Sequence, residues 1–406
     1  MTTPVLPLGA ARALNSVTDE VVSRVSRAPL ENWAYSPITT TIALAILSEA
    51  ATGGCRSAMH RLLRAEDAAA LHIDMRQLLG WACPEPGPSE PAPGAWPDMR
   101  DDNREELIEW VARSRRWQAH PERRRSIGLA ASLWLQSGRE PLQTFSDFVA
   151  NNYGPVLRSV DFRTDPELQR TTINQWCSDR TQGAIVEALP HGAVMAGTSF
   201  VVASATYLKM EWLRPFDPER TCTEGFRRRD GSAVACQMMH DTADMTYAEG
   251  DGWQGVVLPY NDLSTIFVAA VSIDPAGDVP SCADVLASTY DDEVKVVLSL
   301  PSHRITSETN LLGPLRAAGL TELFEPGLPG VFENGWAPID DARQATMFVT
   351  DEAGSSGAAV DMMVMRGMKA PRREAVVTFD RPFTFWICEK ATGAVLFMGR
   401  VNDPTA

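Results

Sequence analysis

Six histidines, seven cysteines and a methionine-rich stretch near the C-terminus are the side chains of this 406-residue sequence with most chemistry to offer. The histidines, His60, His72, His120, His191, His240 and His303, are isolated from one another along the chain. No G-x-S-x-G elbow, G-x-x-x-x-G-K-[ST] phosphate loop, H-E-x-x-H helix or C-x-x-C pair accompanies them, so hydrolysis, phosphoryl transfer and structural zinc are not indicated. The cysteines, Cys55, Cys83, Cys177, Cys222, Cys236, Cys282 and Cys388, are odd in number and widely scattered. That suits free thiols in a reducing compartment rather than a disulfide framework. Met238 and Met239 with Met245 could offer soft ligands, but methionine as core filler fits better. No enzyme, no cofactor and no metal is expected. There remains TDEAGSSGAAVDMMVMRGMKAPRREAVVTF, from Thr350 to Phe379. Gly354 to Ala359 is small residues only and reads as loop, between strand-like runs holding Met347, Val349, Val376 and Val377. Met362, Met363, Val364, Met365 and Met368 within it are more apolar than a solvated connector.

Such a segment needs a scaffold, and the composition allows a large one: 44% hydrophobic and 22% charged residues are ordinary for a globular chain. With 37 Lys+Arg against 52 Asp+Glu the net charge is −15. An acidic body repels phosphate backbones and anionic lipid, so neither nucleic acid nor a membrane surface is an expected partner. No stretch reaches the roughly 18 to 20 apolar residues of a membrane span. MTTPVLPLGAARALNSV lacks the basic start and apolar run of a secretory signal, and no N-x-[ST] acceptor occurs. A cytoplasmic or otherwise intracellular setting is expected, with non-classical secretion as the alternative.

Helical periodicity marks TTTIALAILSEAATGG, with Ile42, Ala45, Ile46 and Ala50 on one face and Gly53–Gly54 as the stop. LQRTTINQWCSDRTQGAIVEAL predicts a second helix with Leu168, Ile173, Trp176 and Cys177 inward, and LLGPLRAAGLTELF a third with Leu312, Leu315 and Leu320. IFVAAVSI is a doubly covered strand, VKVVLSLP an alternating one, and AVLFMGRV another apolar one. Helices come mainly early and strands mainly late, so an α+β layered fold is indicated. PEPGPSEPAPGAWP, Pro84 to Pro97, reads alone as a linker. Beyond it EELIEWVARSRRW reads as an amphipathic helix leading into Arg123, Arg124 and Arg125. With Arg113, Arg115 and Arg116 these form either a solvated face or an exosite for a polyanion or an acidic protease surface.

Several motifs, in order, resemble the serpin family. DRPFTFWI (Asp380 to Ile387) followed by TGAVLFMGRVNDP (Thr392 to Pro404) is similar to its C-terminal signature. NWAYSPITTTIALAILSEAATGG (Asn32 to Gly54) resembles the segment opening the helix buried behind the main sheet. VDF (Val160 to Phe162), INQW (Ile173 to Trp176), Thr181, Gly183, YLKMEWLRPFDPERTCTEGF, Met238–Met239 and VLPY (Val257 to Tyr260) follow. Family-like segments flank Pro84–Pro97, so the resemblance implies one serpin domain over 1–406, with 84–126 as a surface insertion. It also implies a large, mostly antiparallel main sheet, two smaller sheets and about eight to nine helices.

By the same resemblance, 352–378 is hinge and reactive-centre loop, a bait. A serine protease cuts it, is held as an acyl-enzyme, and the freed loop enters the main sheet as an extra strand. The implied hinge is Glu352, Gly354, Ser355, Gly357, Ala359 and Asp361, its small side chains easing passage between strands. Counting from Glu352 and Gly354 places the scissile bond at Met368–Lys369, and Pro371, three residues past the cut, agrees. Met365, Arg366, Gly367, Ala370 and Pro371 flank it as subsites. Methionine suits chymotrypsin-, elastase- or subtilisin-like pockets. Arg366, Lys369 and Arg372 leave a trypsin-like target as the alternative if the register slips, and a cysteine protease is another. The implied partner is that protease, covalently bound to a monomer.

The sheet gate is implied at Ser36, Thr39, Ser204, Trp212 and Gln344. Ser204 and Gln344 stand where the family commonly has Asn and His, and both can hydrogen-bond, with Ser36 and Thr39 as partners. Ser356 replaces a common Glu, and Arg372, Arg373 and Glu374 extend the loop. With Ser355 inward in the inserted strand, Asp361 is inward too, and a buried unpaired carboxylate costs several kcal/mol. This leaves open a non-inhibitory serpin, a carrier, chaperone or storage protein cleaved as a simple substrate.

Overall fold

The computed structural model describes residues 5–25, 30–82, 126–181, 183–274, 277–290, 292, 294–333, 337–355 and 373–406. Helix α1 (Leu8–Val17) runs through a π-turn and is followed by β1 (Trp33–Tyr35), α2 (Pro37–Ala50), α3 (Gly53–Leu62) and α4 (Ala68–Ala82). Next come β2 (Ser126–Gln136), α5 (Gln143–Tyr153), β3 (Leu157–Val160), α6 (Pro166–Arg180) and β4 (Phe200–Glu211). The strands β5 (Cys222–Arg227), β6 (Ala233–Gly250), β7 (Trp253–Pro259) and β8 (Thr265–Ser272) precede α7 (Cys282–Ala287). The chain ends through β9 (Val294–Pro301), β10 (His303–Asn310), α8 (Leu312–Ala317), β11 (Asp341–Thr350), β12 (Gly354–Ser355), β13 (Glu374–Thr378), β14 (Phe383–Glu389) and β15 (Val395–Val401).

The main sheet carries the order β10-β11-β4-β2-β3, with β12 pairing β4 at one end. Side chains of β4 alternate between its faces, as a pleated strand requires. Val201, Ala203 and Ala205 pack with Trp134, Ala345 and Met347 against Ile173 and Cys177 of α6 and against Ile185 and Leu189. Phe200, Val202, Leu208 and Met210 join the large core on the other face, which contains α2. Pro37 occupies the first turn of α2, where its missing N–H costs nothing.

The expected apolar stripe of α2 is in fact a whole surface: every residue of the helix but Glu49 is buried, because α1, α3 and the main sheet all pack on it. The helix stops at Ala51, which turns extended, and Gly53, at φ 53°, opens α3 instead of closing α2. In α6, Ile173 and Cys177 are buried as expected while Leu168 is 56% exposed. At about 100° per residue Leu168 lies roughly 140° around the helix from Ile173, on the opposite side. The strand β8 is buried throughout, with Phe267, Ala269 and Val271 in one cluster and Ile266, Val268 and Ala270 in another.

The two smaller sheets expected beside the main one are joined. The 18-residue β6 pairs β5 from Ala233 to Met238, β9 from Met238 to Met245 and β7 from Thr246 to Gly250, making one path β1-β15-β14-β8-β7-β6-β9-β13. With eight α-helices among the described residues, this is the α+β architecture the sequence implies. The stretch 84–125, including the Pro-rich run and the six arginines, lies outside the described residues. Leu71 and Leu78 of α4 before it and Ile127 and Leu133 of β2 after it belong to the same core. The described cysteines are free, and only Cys222 among them is exposed.

Candidate functional site

The seam between β4 and β11 is where the expected gate and hinge residues meet. The two strands run parallel and pair from Asp341 opposite Val201 to Met347 opposite Tyr207. Past that point β4 changes partner: Glu211 and Met210 face Gly354 and Ser355 of β12, which runs antiparallel to it.

At mid-seam Gln344 stands opposite Ser204. The Gln344 side chain is fully buried, and its Nε2 donates to Ser36 O at 2.6 Å and to Thr39 Oγ1 at 2.8 Å. Its Oε1 accepts from the Ser36 N–H at 2.8 Å and from the Thr346 hydroxyl at 3.2 Å. A side-chain amide has two donors and two lone pairs, so every one is used. Ser36 in turn donates its hydroxyl to Leu396 O at 2.9 Å. Gln344 thus ties β11 to the N-terminus of α2. Ser204 does not take part: its hydroxyl donates to Arg343 O at 3.2 Å, across the seam, because serine is too short to reach past its neighbouring strand. It borders a cavity of about 20 Å³ lined also by Thr40, Ala43, Leu44 and Leu47.

At the open end the chain doubles back between Asp351 and Gly354. The Asp351 carboxylate accepts the N–H groups of Ala353 at 3.0 Å and Gly354 at 3.1 Å, an Asx-type turn. Burial pushes this carboxyl above its ordinary range, against the two amide donors that favour its charged form. Gly354 has φ 151°, and a Cβ there would meet Met210 O at 2.2 Å and Glu211 Cα at 2.6 Å. Only glycine satisfies both conditions. Trp212 clamps the turn: its Nε1 donates to Asp351 O and its backbone N–H to Ala353 O, both at 3.0 Å. The indole is held by stacking on Tyr260, with centroids 4.7 Å apart, and by the edge of Phe267. Glu352 is gripped twice, its carbonyl by the Phe216 N–H at 2.8 Å and its carboxylate by the Thr221 hydroxyl at 2.6 Å.

A strand that has begun at Gly354–Ser355 can lengthen only by parting β11 from β4 below it. The family profile described as serpin (serine protease inhibitor) matches residues 12–404, nearly all of the chain. The chain belongs to the serpin family. Antithrombin-III of Ovis aries is 30% identical over 274 residues, 64% of this chain, and the match spans 59% of that protein's length. Putative serpin-Z6C of Oryza sativa subsp. japonica is 27% identical over 406 residues, covering 92% of this chain and 91% of that one. The solved native stressed conformation of Arabidopsis AtSerpin1 superposes with a TM-score of 0.80 at 19% identity, covering 99% and 100% of the two chains, a likeness of fold.

In this serpin the structure brings Ser36, Thr39 and Gln344 into one hydrogen-bonded group and places Trp212, Glu352 and Gly354 around the turn at Asp351, each with its own partners. Gly357, Ala359, Asp361, Met365, Arg366, Gly367, Met368, Lys369, Ala370 and Pro371 lie outside the described residues, as do Arg113, Arg115, Arg116, Arg123, Arg124 and Arg125. The loop's far end is nearer than 378: Glu374–Thr378 is β13, parallel to β9, because its backbone pairs from Lys295 to Ser299. Arg373 donates to Tyr290 OH at 2.6 Å and pairs with Glu249, so it is a mooring and not a loop extension. Sequence reasoning missed Asp351, Phe216 and Thr221 as hinge partners. The signal for Asp351 was available, an Asp three residues before a Gly in a turn-forming run.

Proposed function

We propose that this serpin inhibits a serine protease as a suicide substrate, cut at Met368–Lys369 and trapped while the freed loop runs down the β4–β11 seam. One observation carries the reading: Gly354 and Ser355 already lie on β4 as an antiparallel strand at the level where β11 has stopped pairing with it. None of the partners of the Gln344 amide, Ser36, Thr39 and Thr346, lies on β4, so displacing β4 from β11 breaks none of its hydrogen bonds. Incubation with chymotrypsin-, elastase-, subtilisin- and trypsin-like enzymes tests this. A denaturant-resistant complex with an apolar-pocket protease is expected, and the released fragment should begin at Lys369. A start at Gly367 or Ala370 would refute the assigned bond.

A second reading rests on Asp361, whose carboxylate the strand alternation turns inward on full insertion. It makes the protein a simple substrate, giving two fragments and no complex with any protease of the panel.

A further inference from the structure

Beside the hinge, β5 and β6 bring together three side chains whose sequence spacing shows no ligand motif: Cys222, Glu224 and His240. Cys222 and Glu224 are two apart on β5 and so share a face; the antiparallel register puts Cys222 opposite Met238, and His240, two residues further along β6, falls on that same face. Cys222 Sγ lies 3.4 Å from His240 Nε2 and 3.6 Å from Glu224 Oε1. The same Glu224 oxygen is 3.2 Å from His240 Nε2.

We propose that these three residues bind a zinc-class divalent cation. Zinc takes sulfur at about 2.3 Å, imidazole nitrogen at about 2.0–2.1 Å and carboxylate oxygen at about 2.0–2.2 Å, in a tetrahedron. Those lengths separate sulfur from nitrogen by roughly 3.5 Å, sulfur from oxygen by roughly 3.6 Å and nitrogen from oxygen by roughly 3.4 Å. The three atoms therefore already form one face of the coordination polyhedron, needing shifts of only a few tenths of an ångström. Thiolate with imidazole selects zinc over magnesium or calcium, whose ligands are oxygens. The ring is also oriented from behind: Ser299 Oγ sits 3.0 Å from His240 Nδ1, and Ser299 is buried. A partner on Nδ1 fixes the tautomer that leaves Nε2 free to ligate. Cys222 and Glu224 are exposed, which gives a solvated cation an entry path and leaves a fourth position for water. On binding, the Cys222 thiol releases its proton to solvent.

The site adjoins the hinge, because Thr221, one residue before Cys222, is the group that holds the Glu352 carboxylate. A bound cation would tie β5 to β6 at that contact.

Cobalt(II) titration of the intact protein tests the site. The expected result is one equivalent bound with a sulfur-to-cobalt charge-transfer band, displaced by zinc. Cys222→Ser should abolish the band, His240→Gln should weaken zinc binding at least tenfold, and Ser299→Ala should weaken it about 10- to 100-fold. Zinc should raise the melting temperature of the unsubstituted protein and leave Cys222→Ser unmoved, with both melting alike in chelator as the control for folding. Absence of the sulfur band, or Cys222→Ser binding zinc as tightly as the parent, overturns the assignment.

Discussion

The middle and the open end of one seam are held by different means. At mid-seam a fully satisfied buried amide, Gln344, fastens β11 to the start of α2, while the side-chain bond from β4 to β11 at that level is the single Ser204 hydroxyl. At the open end an aromatic group around Trp212 grips a tight turn through backbone carbonyls. The strong contacts at mid-seam tie β11 to the start of α2 and not to β4. Those at the open end fix where an entering strand begins. A sheet can thus be rigid within each half and still separable along one line.

Substitutions separate the two kinds of hold. Trp212→Ala removes the stack on Tyr260 and the clamp on Asp351, and should cost about 3–5 kcal/mol in denaturant unfolding. Hinge amides should then exchange faster while those near Gln344 keep their protection; equal loss at both places would erase the distinction. Next comes acid. His303, fully buried among Phe348, Phe383 and Phe385, has its pKa lowered from 6.5 to about 4 by burial. Between those values the unfolded chain binds a proton that the folded ring refuses, so stability is complete above pH 6.5 and falls as pH drops towards 4. The total loss is roughly 3 kcal/mol at about 1.4 kcal/mol per unit, and His303→Phe should flatten that slope.

Gln344→Ala strands the Ser36 backbone groups and should cost about 1–3 kcal/mol. Ser204→Ala should cost about 1 kcal/mol or less, yet speed covalent complex formation, because it loosens the line that must part. Were Gln344→Ala the faster inhibitor and Ser204→Ala unchanged, the roles assigned to the two would be reversed.

Much of this was legible in the sequence, and the failures have physical causes. That Ser36 at the Ser-Pro start of α2, Thr39 and Gln344 form one hydrogen-bonded group was legible because residue type and motif order suffice to place them. The partner of Ser204 was not legible, since it depends on how far one hydroxymethyl group reaches. Burial all round α2 escaped periodicity because several helices and strands of both sheets cover it, which no single-face pattern records. The Cys222, Glu224 and His240 trio was invisible because the register of β5 on β6, not spacing along the chain, assembles it.

The long strand β6 anchors both sides of the loop segment. Cys222, next to the residue gripping Glu352, pairs with its Met238, and Arg373 is fastened to its Glu249. Both ends of the 356–372 segment therefore hang from a common rod, with attachment points at most roughly 36 Å apart at about 3.3 Å per residue. This rod lies outside the sheet that would have to widen. On the proposed mechanism a cut between the two fastenings would leave each piece held at its own base, and only the piece beginning at Gly354 would be placed to lengthen along β4.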